Sequence, residues 1–126
     1  MSTFAALLER GEQRRISMSQ VAAVGEGNFQ SEVVQATVPV VVDFWADWCQ
    51  PCKMLSPVLD KLAARYEGRI KVVKCNLDEN RAIAGMFSIT TLPNLLFFKD
   101  GQVVNQAVGY RGEDQLAQTI DEVLAA

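Results

Sequence analysis

The chain contains no histidine among its 126 residues, and this absence removes several kinds of chemistry at once. Without an imidazole there is no Ser–His triad, no Cys–His dyad and no histidine ligand for zinc or haem. An excess of positive charge is also missing, because 12 lysines and arginines stand against 15 acidic residues and give a net charge of -3. A mildly acidic chain does not favour nucleic acid or an anionic membrane as its main partner. An enzyme built from this sequence must therefore use thiols, carboxylates, amines or hydroxyls.

Long apolar runs are absent as well. The longest, at residues 38–46 and 95–98, have the length of strands and fall far short of the roughly 20 residues that cross a bilayer. The apolar stretch at residues 4–8 is too short for the core of a signal peptide, and charge follows it at once. Three cysteines are an odd number, which is not typical of a secreted disulfide scaffold. We therefore predict a cytoplasmic protein that does not bind membranes.

The hydrophobic pattern predicts one α/β domain. We assign residues 1–19 to an N-terminal extension and residues 20–126 to the domain, since this length fits a single core. Helices alternate with the first strands, which predicts a central mixed sheet flanked by helices on both faces. The predicted elements are strands at 21–24, 38–46, 70–75, 94–98 and 103–108, and helices at 29–36, 49–66, 79–87 and 113–124.

Three details of these helices follow from local sequence. Asn28 is expected to cap the first helix, because asparagine side chains accept from the N–H groups of a first turn. Met54 fits the apolar stripe of the second helix, and Met86 fits that of the third, so both are expected to point inward.

Cys49-Gln50-Pro51-Cys52 is a C-x-x-C motif that lies between a predicted buried strand and the start of a predicted helix. The first turn of a helix offers unpaired N–H groups and the positive end of the dipole, and both favour a thiolate. We therefore expect Cys49 to be the nucleophile. Cys52 lies one helical turn further on, where its sulfur can reach Cys49 and resolve a mixed disulfide.

Other uses of this motif have less support. A zinc site needs further ligands, and only Cys75 remains in a chain without histidine. A purely structural disulfide between such close neighbours constrains little chain entropy, and c-type haem attachment needs a histidine where Lys53 stands. We therefore expect redox catalysis without a metal or a bound cofactor. Cys75 is expected to be a buried, inert thiol, with a regulatory thiol as the alternative.

Two charged residues in predicted strands are candidates for proton transfer. Asp43 interrupts an apolar strand six residues before Cys49, and burial of a carboxyl favours its neutral form. Such a carboxyl can accept the proton of Cys52, although a purely structural hydrogen bond explains Asp43 equally well. Lys74 either neighbours Asp43 or is a solvated surface lysine. Trp48 is expected to form an exposed apolar surface beside the sulfur of Cys49.

The segment from Val41 to Lys53, VVDFWADWCQPCK, closely resembles the active-site segment of the thioredoxins. The resemblance covers about residues 20–126 in register. A match of this length is far more specific than an isolated C-x-x-C motif. It continues through Pro57, Lys74, Asn76-Leu77-Asp78, Thr91-Leu92-Pro93, Phe97 to Gly101 and Val108-Gly109.

This resemblance implies the thioredoxin fold and assigns roles to residues. Cys49 corresponds to the exposed attacking thiol, Cys52 to the buried resolving thiol, and Asp43 to the buried acid/base with Lys74 supporting it. The Leu92–Pro93 bond corresponds to the cis peptide of the family, where the Leu92 backbone pairs with an extended substrate chain. The residues implied in substrate docking are Trp48, Gln50, Pro51, Thr91, Leu92, Pro93, Val108 and Gly109.

The resemblance also implies an activity and partners. The protein is expected to be a protein-disulfide reductase that acts on client proteins with disulfides. A flavoprotein of the thioredoxin-reductase type is expected to restore the Cys49–Cys52 dithiol, so that NADPH is used only indirectly. The protein itself is expected to be a monomer.

Three residues depart from the usual family pattern. Gln50 replaces the usual glycine, and we expect it to make the protein somewhat less reducing. Asn94 replaces the usual threonine after Pro93, and Tyr110 replaces a small residue after Gly109. A specialised thiol oxidant or isomerase therefore stays open as an alternative. A binding or chaperone module that uses the same apolar surface without redox turnover is a further one.

Overall fold

The computed structural model describes residues 21–126, so the predicted extension at 1–19 lies outside the described residues. The strands alternate with the helices up to β4, and a hairpin and a helix complete the domain. The elements are β1 (Ala22–Ala23), α1 (Gln30–Val34), β2 (Val40–Trp45), α2 (Gln50–Arg65), β3 (Lys71–Asn76), α3 (Arg81–Met86), β4 (Asn94–Lys99), β5 (Gln102–Val108) and α4 (Glu113–Ala125).

The five strands form one sheet in the order β1-β3-β2-β4-β5. β1 and β2 pair with β3 in parallel, whereas β4 pairs antiparallel with both β2 and β5. The predicted mixed sheet is therefore confirmed. The register places Asp43 of β2 opposite Lys74 of β3 and Leu95 of β4.

Each face of the sheet is covered by helices, as predicted. On one face, Leu55 and Leu59 of α2 and Leu116 and Ile120 of α4 pack against the sheet around Val41. On the other face, α1 and α3 pack against the opposite side of the same strands. β2 is buried along its whole length up to Phe44, because its alternating side chains enter both clusters. This central position leaves the Asp43 carboxyl inside the domain.

The first helix differs from the prediction. It is a short π-helix, and Phe29, not Asn28, stands at its N-cap. The Asn28 side chain instead accepts from the N–H of Gly25 at 2.8 Å and closes the preceding turn. Phe29 and Val33 are nevertheless buried, because their spacing along the chain brings both onto the sheet.

The inward positions predicted for two methionines are wrong. Met54 is 56% exposed, because the buried stripe of α2 follows Leu55, Leu59 and Leu62 and leaves Met54 to one side. Met86 is 75% exposed, because Phe87 fills the inward position at the end of the short helix α3. The Phe87 ring there contacts the rings of Phe29 and Phe98.

Gly101 lies in the turn between β4 and β5 and provides a test of this hairpin. Gly101 has φ +79°, and a Cβ on it would lie 3.0 Å from the Val34 backbone oxygen. We therefore expect Gly101→Ala to lower the free energy of unfolding by about 1–3 kcal/mol.

The matched control is Gly85→Ala in α3, where an added Cβ meets no atom within 4 Å. Alanine in a helix is expected to raise the free energy of unfolding by about 0.5–1 kcal/mol. Urea denaturation of both variants measures the difference. Equal stability changes in the two variants would contradict the close approach at Gly101.

Candidate active site

The cysteine pair lies at the N-terminus of α2, beyond the end of β2. Cys49 is the N-cap of α2, and it forms a disulfide with Cys52, with a Cα–Cα distance of 5.3 Å. The backbone N–H of Cys52 donates to the Cys49 sulfur at 3.2 Å. The first turn of the helix therefore directs one of its unpaired donors at this sulfur, and the same donor would stabilise a Cys49 thiolate.

Cys49 is less exposed than the resemblance implied. Both cysteines are 4% exposed, so the expected contrast between an exposed and a buried thiol is not present in this disulfide form. The physical reason is that the Cys49 sulfur is drawn back to Cys52. Leu92 and Trp45 also pack against the small cluster that both cysteines form with Ala46.

Asp43 is buried below the disulfide. It is 4% exposed, and its Oδ1 atom has no hydrogen-bond partner among the described residues. Burial raises the pKa of this carboxyl to about 7, and the Lys74 ammonium partly opposes the rise. The alternative role of Asp43 was a structural hydrogen bond, and its Oδ1 atom makes no such bond among the described residues.

A cavity of about 120 Å³ lies between Asp43 and Cys52. Asp43 and Cys52 both line it, with Trp45, Lys53, Ser56 and Lys74 around them. The space exceeds the roughly 30 Å³ that one water occupies in the liquid, and its lining offers several polar partners. The Cys52 side chain and the Asp43 carboxyl therefore face one space that is large enough to hold water.

Lys74 is a neighbour of Asp43, and the alternative of a freely solvated lysine is not what the structure has. The two residues face each other in the β2–β3 register. The Lys74 ammonium lies 5.5 Å from the centroid of the Trp45 ring, within the range of a cation–π contact. Lys74 is thus held beside the cavity, where its charge acts on the carboxyl.

Trp48 is 67% exposed, as expected for an apolar surface beside the disulfide. Its indole N–H donates to Asp78 Oδ2 at 2.9 Å, and Arg81 donates to Asp78 Oδ1 at 3.0 Å. The Asn76 side chain accepts from the Asp78 backbone N–H at 2.8 Å and fixes the loop. The hydrogen bond to Asp78 therefore holds the large exposed ring of Trp48 in one position. The sequence resemblance included Asp78, but nothing in it indicated Arg81.

The loop at residues 91–93 lies against the disulfide cluster through Leu92. The Leu92–Pro93 peptide bond is cis, as the resemblance implied. Pro93 accepts a hydrogen bond from the Gly109 N–H at 2.8 Å, which ties the loop to the end of β5. Gly109 has φ +87°, and a Cβ there would meet no atom within 4 Å, so the space above it is open.

The residues implied in docking are not all exposed. Pro93 is buried, and Leu92 and Gly109 are half-buried. The exposed members are Trp48, Gln50, Pro51, Thr91 and Val108. Tyr110 follows Gly109 and is also exposed.

Asn94 is a buried polar residue next to this loop. It is 3% exposed; its Nδ2 donates to the Thr91 carbonyl at 3.2 Å, and its Oδ1 accepts from Gln106 at 2.9 Å. The sequence marked Asn94 as a departure from the family but gave it no contacts. Its partner Gln106 lies twelve residues away on β5, and no local pattern indicates that pairing.

Cys75 is fully buried on the face of the sheet opposite Lys74, as predicted. Burial, with smaller contributions from the carboxyls of Asp43 and Glu26, raises the pKa of its thiol to about 11. A neutral, inaccessible thiol is a poor nucleophile. The regulatory role considered for Cys75 therefore has no support from its surroundings.

Within residues 21–126, no group of three or more His, Cys, Asp or Glu side chains is placed to hold a metal ion. No helix in the same range is long and apolar enough to span a membrane.

A cystine that caps a helix, with a buried carboxyl behind it and exposed apolar side chains around it, defines the class of thiol–disulfide oxidoreductases. The family model described as Thioredoxin matches residues 20–122.

Curated relatives agree with this match. The chain is 47% identical over 107 residues to "Thioredoxin 1" of Synechococcus elongatus and 48% identical over 107 residues to "Thioredoxin 1" of Nostoc sp.. Each alignment covers 85% of this chain and all of the relative. "Thioredoxin" of Haemophilus influenzae is 45% identical over 105 residues, which are 83% of this chain and 98% of that protein.

The chain belongs to the thioredoxin family. It is a thiol–disulfide oxidoreductase, and its activity is protein-disulfide reduction through the Cys49–Cys52 pair. The family works with this cysteine pair and no bound cofactor. Its partners are client proteins with disulfides and a flavoprotein reductase that restores the dithiol.

Proposed function

We propose that Cys49 attacks and Cys52 resolves in this reduction. The Cys49 thiolate attacks one sulfur of the client disulfide, forms a mixed disulfide and releases the first client thiolate. The Cys52 thiolate then attacks the Cys49 sulfur, which releases the second client thiolate and forms the Cys49–Cys52 disulfide. Two electrons pass from the dithiol to the client. The main support is the Cys52 N–H aimed at the Cys49 sulfur at the helix N-terminus.

We further propose that Asp43 takes the proton that Cys52 must lose before it attacks. A base with a pKa near the working pH is suited to this transfer, and burial raises the pKa of Asp43 to about 7. The shared cavity supports the short route that the proton needs. Lys74 holds positive charge beside the same cavity, so it stabilises the ionised form of Asp43.

The docking surface we propose comprises Trp48, Gln50, Pro51, Thr91, Leu92, Pro93, Val108 and Gly109. Contiguous apolar exposure around a reactive site is typical of a surface that binds other proteins. Trp48 and Val108 supply exposed apolar side chains, and Gly109 leaves room for a client backbone. The client is therefore an extended segment that presents its disulfide to Cys49.

We also propose that the domain spans residues 20–126 and acts as a monomer in the cytoplasm, without nucleic acid or membrane as a partner. A reducing compartment supports a working dithiol and keeps Cys75 a free thiol. The net charge of -3 supports partners other than nucleic acid.

Insulin reduction with NADPH and a flavoprotein reductase tests the proposal. We expect the wild type to turn over, Cys49→Ser to be inactive, and Cys75→Ala to stay active because Cys75 lies buried on another face. Absence of turnover by the wild type, with dithiothreitol as well as the reductase, would defeat the reductase assignment. Activity in Cys49→Ser would remove the mechanism. A wild type that oxidises thiols but does not reduce insulin would support the oxidant or isomerase alternative.

A further inference from the structure

Asn94 contacts the docking loop by a single directed bond. Its Nδ2 donates to the carbonyl oxygen of Thr91 at 3.2 Å. That carbonyl belongs to the peptide unit between Thr91 and Leu92, so the bond fixes the orientation of the whole unit. Asn94 is 3% exposed whereas Thr91 is exposed, so the bond is part-buried and shielded from water on the Asn94 side.

The geometry of a peptide unit carries this constraint to Leu92. The peptide is planar, and in a trans unit the C=O and N–H groups point in opposite directions. Among the described residues only Leu92–Pro93 is cis, so the unit before it is trans. Because Asn94 holds the Thr91 carbonyl inward, the Leu92 N–H must point outward, toward the docking surface.

The Leu92 N–H is left without an acceptor. Within residues 21–126 no hydrogen bond takes this donor, although Leu92 is half-buried. An outward-pointing N–H that no group of the domain accepts from is free to bind an acceptor that arrives from outside. The backbone carbonyl of an extended client segment is such an acceptor.

A second bond fixes Asn94 itself. Its Oδ1 accepts from Gln106 Nε2 at 2.9 Å, which settles the orientation of the amide and directs Nδ2 at Thr91. Gln106 lies opposite Leu96 in the β4–β5 register, so the amide is anchored on the edge strand. Both polar ends of Asn94 are thus used, and the side chain has no freedom to turn over.

We propose that Asn94 is a positioning residue for client binding, which acts by holding the Thr91–Leu92 peptide so that its N–H pairs with the client backbone. This inference rests on the proposed docking of an extended client along the Leu92 backbone, and it adds the side chain that orients this backbone. Its ligand is the main-chain carbonyl of the client, so the effect is independent of client sequence.

Steady-state reduction of two substrates tests the proposal. One is a disulfide-linked extended peptide, and the other is 2-hydroxyethyl disulfide, which has no peptide backbone. We expect Asn94→Ala to raise KM for the peptide about five- to tenfold, with a much smaller change in kcat, as for loss of one directed hydrogen bond. The measured quantity is the ratio of kcat/KM for the peptide to kcat/KM for the small disulfide. A purely structural role would lower both values and leave this ratio unchanged, which would overturn the proposal.

Val104→Ala is the matched control, because it shortens an exposed side chain of the same edge strand and leaves both hydrogen bonds of Asn94 in place. We expect it to change the ratio less than about twofold. An equal fall in Val104→Ala would assign the effect to loosening of β4 and β5 and would overturn the proposal. Failure of the wild type to reduce either substrate would instead contradict the reductase function itself.

A second measurement does not depend on an Asn94 variant. In the mixed disulfide of Cys52→Ser with a ¹⁵N-silent peptide, we expect hydrogen exchange of the Leu92 amide to be slowed by the client. Formation of the complex without slower exchange at Leu92 would overturn the inference while leaving the reductase mechanism intact.

Discussion

A Cys52→Ser variant is expected to stop at the mixed disulfide with its client. Cys49 can still attack, since its position at the helix N-terminus does not depend on the second sulfur. The resolving thiol is missing, and Cys75 cannot replace it because it is fully buried on the opposite face of the sheet. Steady-state insulin reduction should fall by about a thousandfold or more, as for loss of a residue in a covalent mechanism.

Intact mass spectrometry under non-reducing conditions measures the trapped species. We expect one client per protein, joined through Cys49 and released by dithiothreitol. The matched control is Cys49→Ser, which should form no adduct because the nucleophile itself is gone. A stable adduct on Cys52 in that control, and none on Cys49 in the first variant, would reverse the two roles.

Replacement of Asp43 by asparagine is expected to stabilise the protein at neutral and alkaline pH. The folded state holds this carboxyl with a pKa of about 7, well above its ordinary value of 3.8. Ionised Asp43 must therefore lose favourable solvation whenever the domain folds above pH 7. The shift corresponds to up to about 4 kcal/mol, at 1.36 kcal/mol for each pKa unit. An amide of the same shape carries no charge and avoids this cost.

The sign of the pH dependence follows from the same shift. Between about pH 4 and pH 7 the folded state binds a proton on Asp43 that the unfolded state has lost, so the wild type loses stability as the pH rises. The advantage of Asp43→Asn is thus expected to be near zero at pH 4 and to reach its full value by pH 8. Urea denaturation of the oxidised proteins at several pH values measures it. An advantage that is constant with pH would contradict the raised pKa.

The same variant is expected to slow turnover, because asparagine cannot accept the proton of Cys52. Stability and activity should therefore change in opposite directions. This is the pattern expected for a buried charge that is kept for chemistry.

Much of the fold was predictable from local sequence. The β-branched run of β2 and the leucine stripe of α2 each satisfy one local requirement, and the structure agrees with them. The errors lie where local preference is weak. Met54 and Met86 suit either face of a helix, and their positions were decided by neighbours that fill the inward space better.

Some parts of the site were predictable from the sequence, and others were not. The place of Cys49 and Cys52 followed from the motif between strand and helix. The position of Asp43 in the strand before Cys49 made it a candidate for proton transfer but left a structural hydrogen bond equally open. The cis bond at Pro93 came only from resemblance, because spacing alone does not bring separate segments together. The bonds of Trp48 to Asp78 and of Asn94 to Gln106 join residues 30 and 12 positions apart. Such pairs depend on how loops cross in space.

The disulfide joins two residues on the same helical turn, and this has a consequence for partner choice. No disulfide within residues 21–126 links α2 to the sheet, and the large apolar clusters on the two faces contain neither cysteine of the pair. We therefore expect the scaffold to keep its shape whether the two sulfurs are bonded or free. Client and reductase would then meet almost the same surface, and the oxidation state of the cysteine pair would decide which of them reacts.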